Sequence, residues 1–188
     1  YDNLMNNFDY GNIEDPGIYA DYTIRRTTKI VQLRQRFVRL ANRLRNEGDT
    51  TRAIEVLERC EKQVPMDVFT PDVFSTDLAD AWYQLNKPEK GDEIISYIVS
   101  LYDQELRYHF SLPDNKIPAN ALEIRMALQT IQDCYRMALR HQREDVLTAI
   151  ETALKDHTPS FKKYFNYPQQ QPRQQQQQLQ QPQVQGDV

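Results

Sequence analysis

The chain has 188 residues, of which 39% are apolar and 27% charged, a length that fits one domain with or without a tail. Its net charge of −4 argues against a nucleic-acid surface, which needs clustered positive charge, and its two cysteines are too few for a disulfide framework. No apolar run approaches the ~20 residues of a membrane-spanning helix, and no signal-peptide pattern opens the chain. The start at Tyr1 rather than Met indicates an excised or processed fragment.

Residues 1–22 form an aromatic-rich N-terminal segment that we expect to be irregular. Tyr1, Phe8, Tyr10, Tyr19 and Tyr22 are separated by Asn, Asp, Gly and Pro, which are turn residues. Aromatic side chains outside helices usually pack against another surface. The segment therefore either caps the core of its own domain or docks onto a part of a longer protein.

Residues 23–166 are predicted to form a helical domain. Leu33, Phe37, Leu40 and Leu44 recur at the spacing of an amphipathic helix, and similar stripes follow along the chain. A short aromatic segment, residues 161–165, comes after the last helix and after Pro159. About six helices are expected: Thr23–Asn46, one that is capped by Asp49 or Thr50 and ends at Pro65, Thr76–Asn86, Glu89–Phe110, Ala119–Leu139 and Glu144–Lys155.

Residues 167–188 form a tail with twelve Gln and three Pro. Its apolar content is too low to offset the entropy lost on ordering, so we expect a disordered, solvated tail. The alternative is an assembly segment, because Gln-rich tracts can aggregate, but the prolines interrupt the run.

The helical domain contains an internal repeat. Ala41 and Ala53 lie on two successive helices, and Ala79 and Gly91 return at the same positions about 38 residues later. Small residues at these points let paired helices approach closely. A weaker third copy spans 128–153. The pattern is similar to the tetratricopeptide repeat of about 34 residues, and three copies are enough to bury a continuous core. It predicts an all-α, tetratricopeptide-like superhelix.

The repeat alignment makes specific assignments for two residues, Tyr135 and Gly91. Tyr135 occupies, in the third copy, the position that Leu44 and Trp82 occupy in the first two. Gly91 lies inside a helical pattern, where Gly costs ~1 kcal/mol relative to Ala. Gly91→Ala is therefore expected to be neutral or mildly stabilising, whereas Gly91→Leu should cost ~1–3 kcal/mol by overpacking.

The sequence gives little support for catalysis. It has no Gly-rich phosphate loop and no nucleophile elbow. Cys60 and Cys134 lie on helices as expected for buried packing residues, and neither has a partner histidine at a defined spacing. His109, His141 and His157 are scattered, so we interpret them as surface or capping residues rather than metal ligands. No catalytic residue, metal or cofactor is predicted.

Four segments together carry a resemblance to a known family. They are Y-D-N-L-M-N-N-F-D-Y-G-N, A-D-Y-T-I-R-R, R-L-A with G-D-T-T-R-A-I-E-V-L-E-R-C, and L-A-D-A-W-Y-Q-L-N-K-P-E-K-G. Over residues 1–167 the chain resembles the C-terminal extramembrane domain of large bacterial multi-spanning membrane proteins. The membrane part of those proteins is similar to protein O-mannosyltransferases. The tail lies outside the resemblance.

The resemblance implies a non-catalytic interaction domain of a membrane-bound, glycosyltransferase-like protein. Its catalytic residues would lie in the membrane part, to which this domain would bring a protein partner or the acceptor. The implied location is the periplasmic face of the inner membrane, with membrane association only through the missing N-terminal part. Two alternatives are a freestanding helical-repeat adaptor and a hydrolase or transferase domain in its own right, which the absence of catalytic motifs disfavours.

A partner-binding surface can be predicted from the repeat. In stacked helix pairs the first helices line the concave face, which is the usual binding surface. Val38 replaces the lysine that a carboxylate clamp for peptide C-termini needs there, so we expect a polar peptide, a loop or the membrane domain itself as partner. An ordinary solvated helix face is the alternative. The candidate partner-binding residues are Asn42, Arg45, Asp80, Tyr83, Asp133 and Arg136.

Overall fold

The structure is a computed structural model that describes residues 1–15, 17, 29–71 and 74–165. Within them it contains helices and no β-strand, which confirms the predicted all-α class. No helix in these ranges is sufficiently long and apolar to cross a bilayer. The start of the first predicted helix, residues 23–28, the aromatic residues Tyr19 and Tyr22, and the tail lie outside the described residues. The main helices are α1 (Lys29–Asn46), α2 (Thr50–Gln63), α3 (Ser75–Gln84), α4 (Pro88–Ser111), α5 (Ala121–Arg140) and α6 (Glu144–Phe165).

The helices pack as consecutive antiparallel pairs around one apolar core. α1 packs on α2, α3 on α4, and α5 on α6, while α1 also contacts α3 and α4 contacts both helices of the last pair. Phe37, Leu57, Trp82, Ile98 and Ile131 are almost completely buried in this core. Burial of a side chain of this size contributes about 1.5–3 kcal/mol, so the amphipathic stripes account for the packing.

The turns inside the three helix pairs have the same geometry. Gly48, Asn86 and Gln142 each adopt a positive φ, of 86°, 55° and 56°. The next residue donates its N–H to a carbonyl five residues earlier, from Asp49 to Leu44 at 2.9 Å and, equivalently, from Lys87 to Trp82 and from Arg143 to Ala138. This is the Schellman motif, which satisfies carbonyls at the end of the first helix.

The shared turn corrects the alignment of the third copy. Counted from the positive-φ residue, Leu44 and Trp82 correspond to Ala138 rather than to the predicted Tyr135. Residues three apart lie on the same side of a helix, so an alignment shifted by three positions preserves the apolar stripe. Periodicity alone therefore could not distinguish the two alignments.

Arg34 joins the first helix pair to the connection that follows it. Its side chain is buried, and it donates to Ser75 Oγ at 2.9 Å, to the Phe69 carbonyl at 3.2 Å and to the Val64 carbonyl at 3.4 Å. Buried carbonyl groups are costly unless they accept hydrogen bonds. One arginine thus holds the end of α2, the loop after it and the start of α3 against α1.

The described residues of the N-terminal segment, 1–15 and 17, pack on the first helix pair. Tyr10 is buried, stacks on Phe37 with 5.9 Å between ring centroids, and lies under the Arg59 guanidinium at 5.4 Å. Its hydroxyl donates to the Leu4 carbonyl at 2.6 Å. The segment includes one π-helical turn, Asn3–Asn7, which the turn-rich sequence did not predict.

The last helix is longer than predicted. α6 continues through Pro159 to Phe165, whereas the sequence predicted an end at Lys155 and a separate aromatic segment. A proline inside a helix removes one hydrogen bond and costs about 3 kcal/mol. Phe161, Tyr164 and Phe165 pack against the core, and Tyr164 stacks on Phe110. Their burial offsets the cost of the proline.

The geometry of the third turn predicts a stabilising substitution. Gln142 has a left-handed conformation that glycine adopts without steric cost, so Gln142→Gly should raise the free energy of unfolding by about 0.5–1 kcal/mol. Urea denaturation measures this change. The matched control is Gln132→Gly, on the exposed side of α5, which should lower stability by about 1 kcal/mol. If both substitutions destabilise equally, the assigned turn geometry is wrong.

Candidate functional site

A polar cavity lies between the first helices of the first two pairs. Its volume is about 410 Å³. α1 and α3 form its two sides, and α3 in turn contacts α5. We call this feature the α1–α3 cavity. Its lining residues are Gln35, Val38, Arg39, Asn42, Phe74, Asp77 and Asp80.

The first helix contributes one predicted residue to this cavity directly. Asn42 is half-buried and lines the cavity. Arg45, one turn later, is also half-buried and donates from Nη2 to the Asn46 side chain at 2.9 Å, so its guanidinium is engaged within α1. Val38 lines the cavity too, but it is almost fully buried and adds apolar surface.

Asp80 contributes the corresponding side of α3 and connects it to the last helix pair. Its carboxylate lies 2.8 Å from His141 Nε2 and 3.6 Å from Arg140 Nη1 and also accepts a hydrogen bond from Gln84. Both basic residues come from the end of α5 and the turn after it. Asp80 therefore lines the cavity and also fixes α5 beside α3.

Tyr83 does not belong to the exposed surface on which it was predicted. Only 6% of the residue is accessible, and its ring stacks on His141 at 4.6 Å. The hydroxyl donates to Asp92 Oδ1 at 2.8 Å, and burial together with this bond raises the pKa of the phenol. The ring fits because Gly91, on α4, has no side chain. Tyr83 is thus a packing residue between pairs.

The carboxylate that accepts the Tyr83 hydrogen bond is itself paired. Arg143 donates from Nη2 to Asp92 Oδ2 at 2.5 Å and from Nε to Oδ1 at 3.1 Å, which is a bidentate arrangement. Burial acts to raise the pKa of Asp92. The hydrogen bonds from Arg143 and Tyr83 and the positive charge of Arg143 outweigh it, so the pKa is lowered. Asp92 is therefore charged at neutral pH.

The two predicted residues of α5 form a pair with each other. Arg136 donates to Asp133, which also accepts from Gln129 at 3.3 Å, so these bonds stay within α5. The corrected alignment of the third pair makes Arg136 the equivalent of Asn42 and Asp80. Leu139, which is 49% exposed, takes the place that corresponds to Arg45 and Tyr83. The structure thus joins two of the six predicted residues in one cavity, and the third pair contributes a different combination.

Sequence analysis missed several residues of the cavity. Gln35 and Arg39 share a helix face with Asn42 at seven- and three-residue spacing, so the pattern could have identified them. Asp77 lies three residues before Asp80 on α3, so the same spacing could have identified it. Phe74 is 47% exposed and precedes α3, where periodicity gives no information about a loop side chain.

Both thiols are buried in the helical core, as the sequence predicted. Cys60 and Cys134 are both fully buried, and burial raises the pKa of each to about 12. Thiolates are the reactive form of cysteine, so these two side chains act as small packing residues at neutral pH.

The prediction for the histidines was wrong at two positions. His109 and His157 are buried rather than on the surface, and His157 Nε2 lies 2.7 Å from Asp103. Each of the three histidines lies near a carboxylate, from Glu105, Asp80 or Asp103. Helix packing brings Asp80 and Asp103 from distant parts of the chain, which histidine spacing could not indicate, whereas Glu105 lies one turn before His109 on the same helix. Among the residues that the structure describes, no three His, Cys, Asp or Glu side chains form a metal-sized cluster.

Comparison of the chain with known protein families, with curated proteins and with solved structures found no match.

The Tyr83–Gly91 contact changes the expectation for Gly91→Ala. A Cβ atom at Gly91 would lie 2.6 Å from Cδ1 and Cζ of the Tyr83 ring. The ring cannot move freely, because it is stacked on His141 and bonded to Asp92. Gly91→Ala should therefore lower the free energy of unfolding by about 1–3 kcal/mol, measured by urea denaturation, instead of being neutral.

A double-mutant cycle separates this clash from other effects. In a Tyr83→Ala background the same Gly91→Ala change should be neutral or stabilise by up to about 1 kcal/mol, because Ala favours a helix. In a Tyr83→Phe background the ring remains, so the cost should persist. An equal effect in all three backgrounds would show that the contact does not determine the choice of glycine.

The Asp92–Arg143 pair predicts a pH dependence of stability. Folding lowers the pKa of Asp92, so its charged carboxylate contributes to the free energy of unfolding at any pH above its unfolded pKa of about 3.9. This contribution is lost as the pH falls from that value through the lower pKa of the folded state. Asp92→Asn should destabilise the protein at pH 7, and the difference from the wild type should shrink below about pH 4. Urea titrations at several pH values measure this; exposed Glu58→Gln is the control with little effect at pH 7. A difference that is constant from pH 7 to 3 would contradict the assignment.

Proposed function

We propose that the chain is a non-catalytic protein-interaction domain built from tetratricopeptide-like helix pairs. The main observation in support of this proposal is that Asn42 and Asp80, at equivalent positions of α1 and α3, line one cavity. Three turns of the same geometry support a repeated helix pair as the building unit. The groups with the most perturbed pKa values, Tyr83, Cys60 and Cys134, are buried packing residues, which also favours a scaffold over an enzyme.

The chemistry of the cavity indicates the kind of partner. Arg39 brings a positive charge, Asp77 and Asp80 bring negative charges, and Gln35 and Asn42 bring amide groups. Phe74 adds a partly exposed apolar surface at the edge. A polar peptide or loop with mixed charges and one apolar side chain complements these groups, whereas a phosphate backbone would be repelled by the carboxylates.

The parent protein in this proposal is membrane-bound and glycosyltransferase-like. The resemblance of residues 1–167 to the extramembrane domain of such proteins supports this view. The domain would lie on the periplasmic face of the inner membrane and would bind a protein, a peptide or the membrane domain of its own parent. The alternative is a freestanding helical-repeat adaptor. Sequence upstream of the Tyr1 codon distinguishes them, since the parent needs several apolar spans of about 20 residues.

Photo-cross-linking tests whether the side formed by the first helices of the pairs, which includes the α1–α3 cavity, is a binding surface. A benzophenone amino acid at position 42 or 136 should form an adduct with the same protein in the native host, because both positions belong to the first helices of their pairs. The same group at Glu58, an exposed residue of α2, is the matched control and should not form that adduct.

The outcome also identifies the partner. An adduct with a multi-spanning membrane polypeptide would support the proposed parent, and an adduct with another protein would favour an adaptor. Equal labelling from position 58, or no adduct from positions 42 and 136, would contradict a binding role for the face.

A further inference from the structure

A second cavity, of about 320 Å³, lies where the end of α2 and the loop after it meet α4. It shares no lining residue with the α1–α3 cavity. Leu78 lines it from α3 and lies two residues before Asp80, which corresponds to about 200° around the helix. The two cavities therefore use opposite sides of α3.

The inner surface of this cavity is apolar. Val64, Leu78 and Ile94 are nearly fully buried and form its base, and Met66 is half-buried beside them. Tyr97 is 42% exposed at the cavity, and its hydroxyl donates to the Met66 carbonyl at 3.4 Å. The volume is at the low end of the range of about 300–1,000 Å³ for ligand pockets, so it suits one or two side chains.

The edge of the cavity carries net negative charge. Lys90 donates to Glu61 Oε2 at 2.9 Å, so these two charges compensate each other. The other Glu61 oxygen accepts the Trp82 indole N–H at 2.8 Å. Asp67 and Glu93 are exposed and form no ion pair within the part of the chain that the structure describes. Two carboxylates are thus left beside an apolar surface.

We propose that this cavity binds a peptide segment in which a leucine-sized apolar side chain is flanked by arginine or lysine. The apolar side chain contacts Leu78, Ile94 and Tyr97, which removes it from water. The flanking cations pair with Asp67 and Glu93 at the edge, which selects basic over acidic segments. This site is separate from the proposed partner surface, so either proposal can fail without the other.

Trp82 provides a specific reporter for binding. It is the one tryptophan of the chain, and its indole N–H is bonded to a carboxylate that lines the cavity. The single indole N–H resonance in a ¹H–¹⁵N NMR spectrum of the full chain should shift saturably as the probe Ac-Arg-Leu-Arg-NH₂ is added. Neither Ac-Glu-Leu-Glu-NH₂ nor Ac-Arg-Ser-Arg-NH₂ should give the same shift, because one reverses the charges and the other lacks the apolar side chain.

Variants locate the binding. The double substitution Asp67→Asn with Glu93→Gln should raise the dissociation constant for Ac-Arg-Leu-Arg-NH₂ about threefold to tenfold, as expected for the loss of two exposed ion pairs. Glu144→Gln with Asp145→Asn, an equal change of charge at the exposed start of α6, is the matched control and should have no effect. Thermal denaturation of each variant checks that it is folded. The proposal is overturned if no probe gives a saturable shift, if all three probes bind equally, or if the double substitution at Glu144 and Asp145 weakens binding as much as the one at Asp67 and Glu93.

Discussion

The position of Tyr83 is the constraint on which the second and third helix pairs depend. Its ring occupies the space left by Gly91 on α4 and stacks on His141 in the turn after α5, so one side chain of α3 contacts two other elements. A buried phenol is costly unless its hydroxyl is bonded, and Asp92 meets that need. Without Arg143, Asp92 would be a half-buried charge with no cationic partner. The packing of the Tyr83 ring therefore depends on Gly91 and His141 for its space and on Asp92 and Arg143 for its hydrogen bond.

The boundary between the first two pairs is held differently. The connection from α2 to α3 is longer than the turns within pairs, and it needs buried donors for its carbonyls. Arg34 donates to the carbonyls of Val64 and Phe69 and to Ser75 at the start of α3. Its guanidinium has several donors in a fixed plane, which lysine lacks. Polar contacts at the boundaries between pairs thus add to the apolar core that all three pairs share.

The local features of the chain could be predicted, but its long-range contacts could not. Helix α2 and its cap at Asp49 follow from spacing and turn chemistry, both of which are local. The end of α6 depends on aromatic packing that outweighs the cost of Pro159, and a rule based on proline alone misplaces it. Within the site, equivalent repeat positions identified Asp80, but Tyr83 was misassigned. Its burial depends on Gly91 in another helix, and exposure cannot be deduced from helical spacing alone.

Helix α3 connects the two cavities, although it is only ten residues long. Isolated helices of that length are marginal in water, so its position is determined by its neighbours rather than by its own propensity. Asp80 lies on the side of α3 that lines the polar cavity, and Leu78 lies on the opposite side, which lines the apolar cavity. Both cavities consequently exist only when α3 is packed against α1 and α4. A ligand of either cavity binds the folded chain and not the unfolded one, and its binding free energy adds to the stability of the domain.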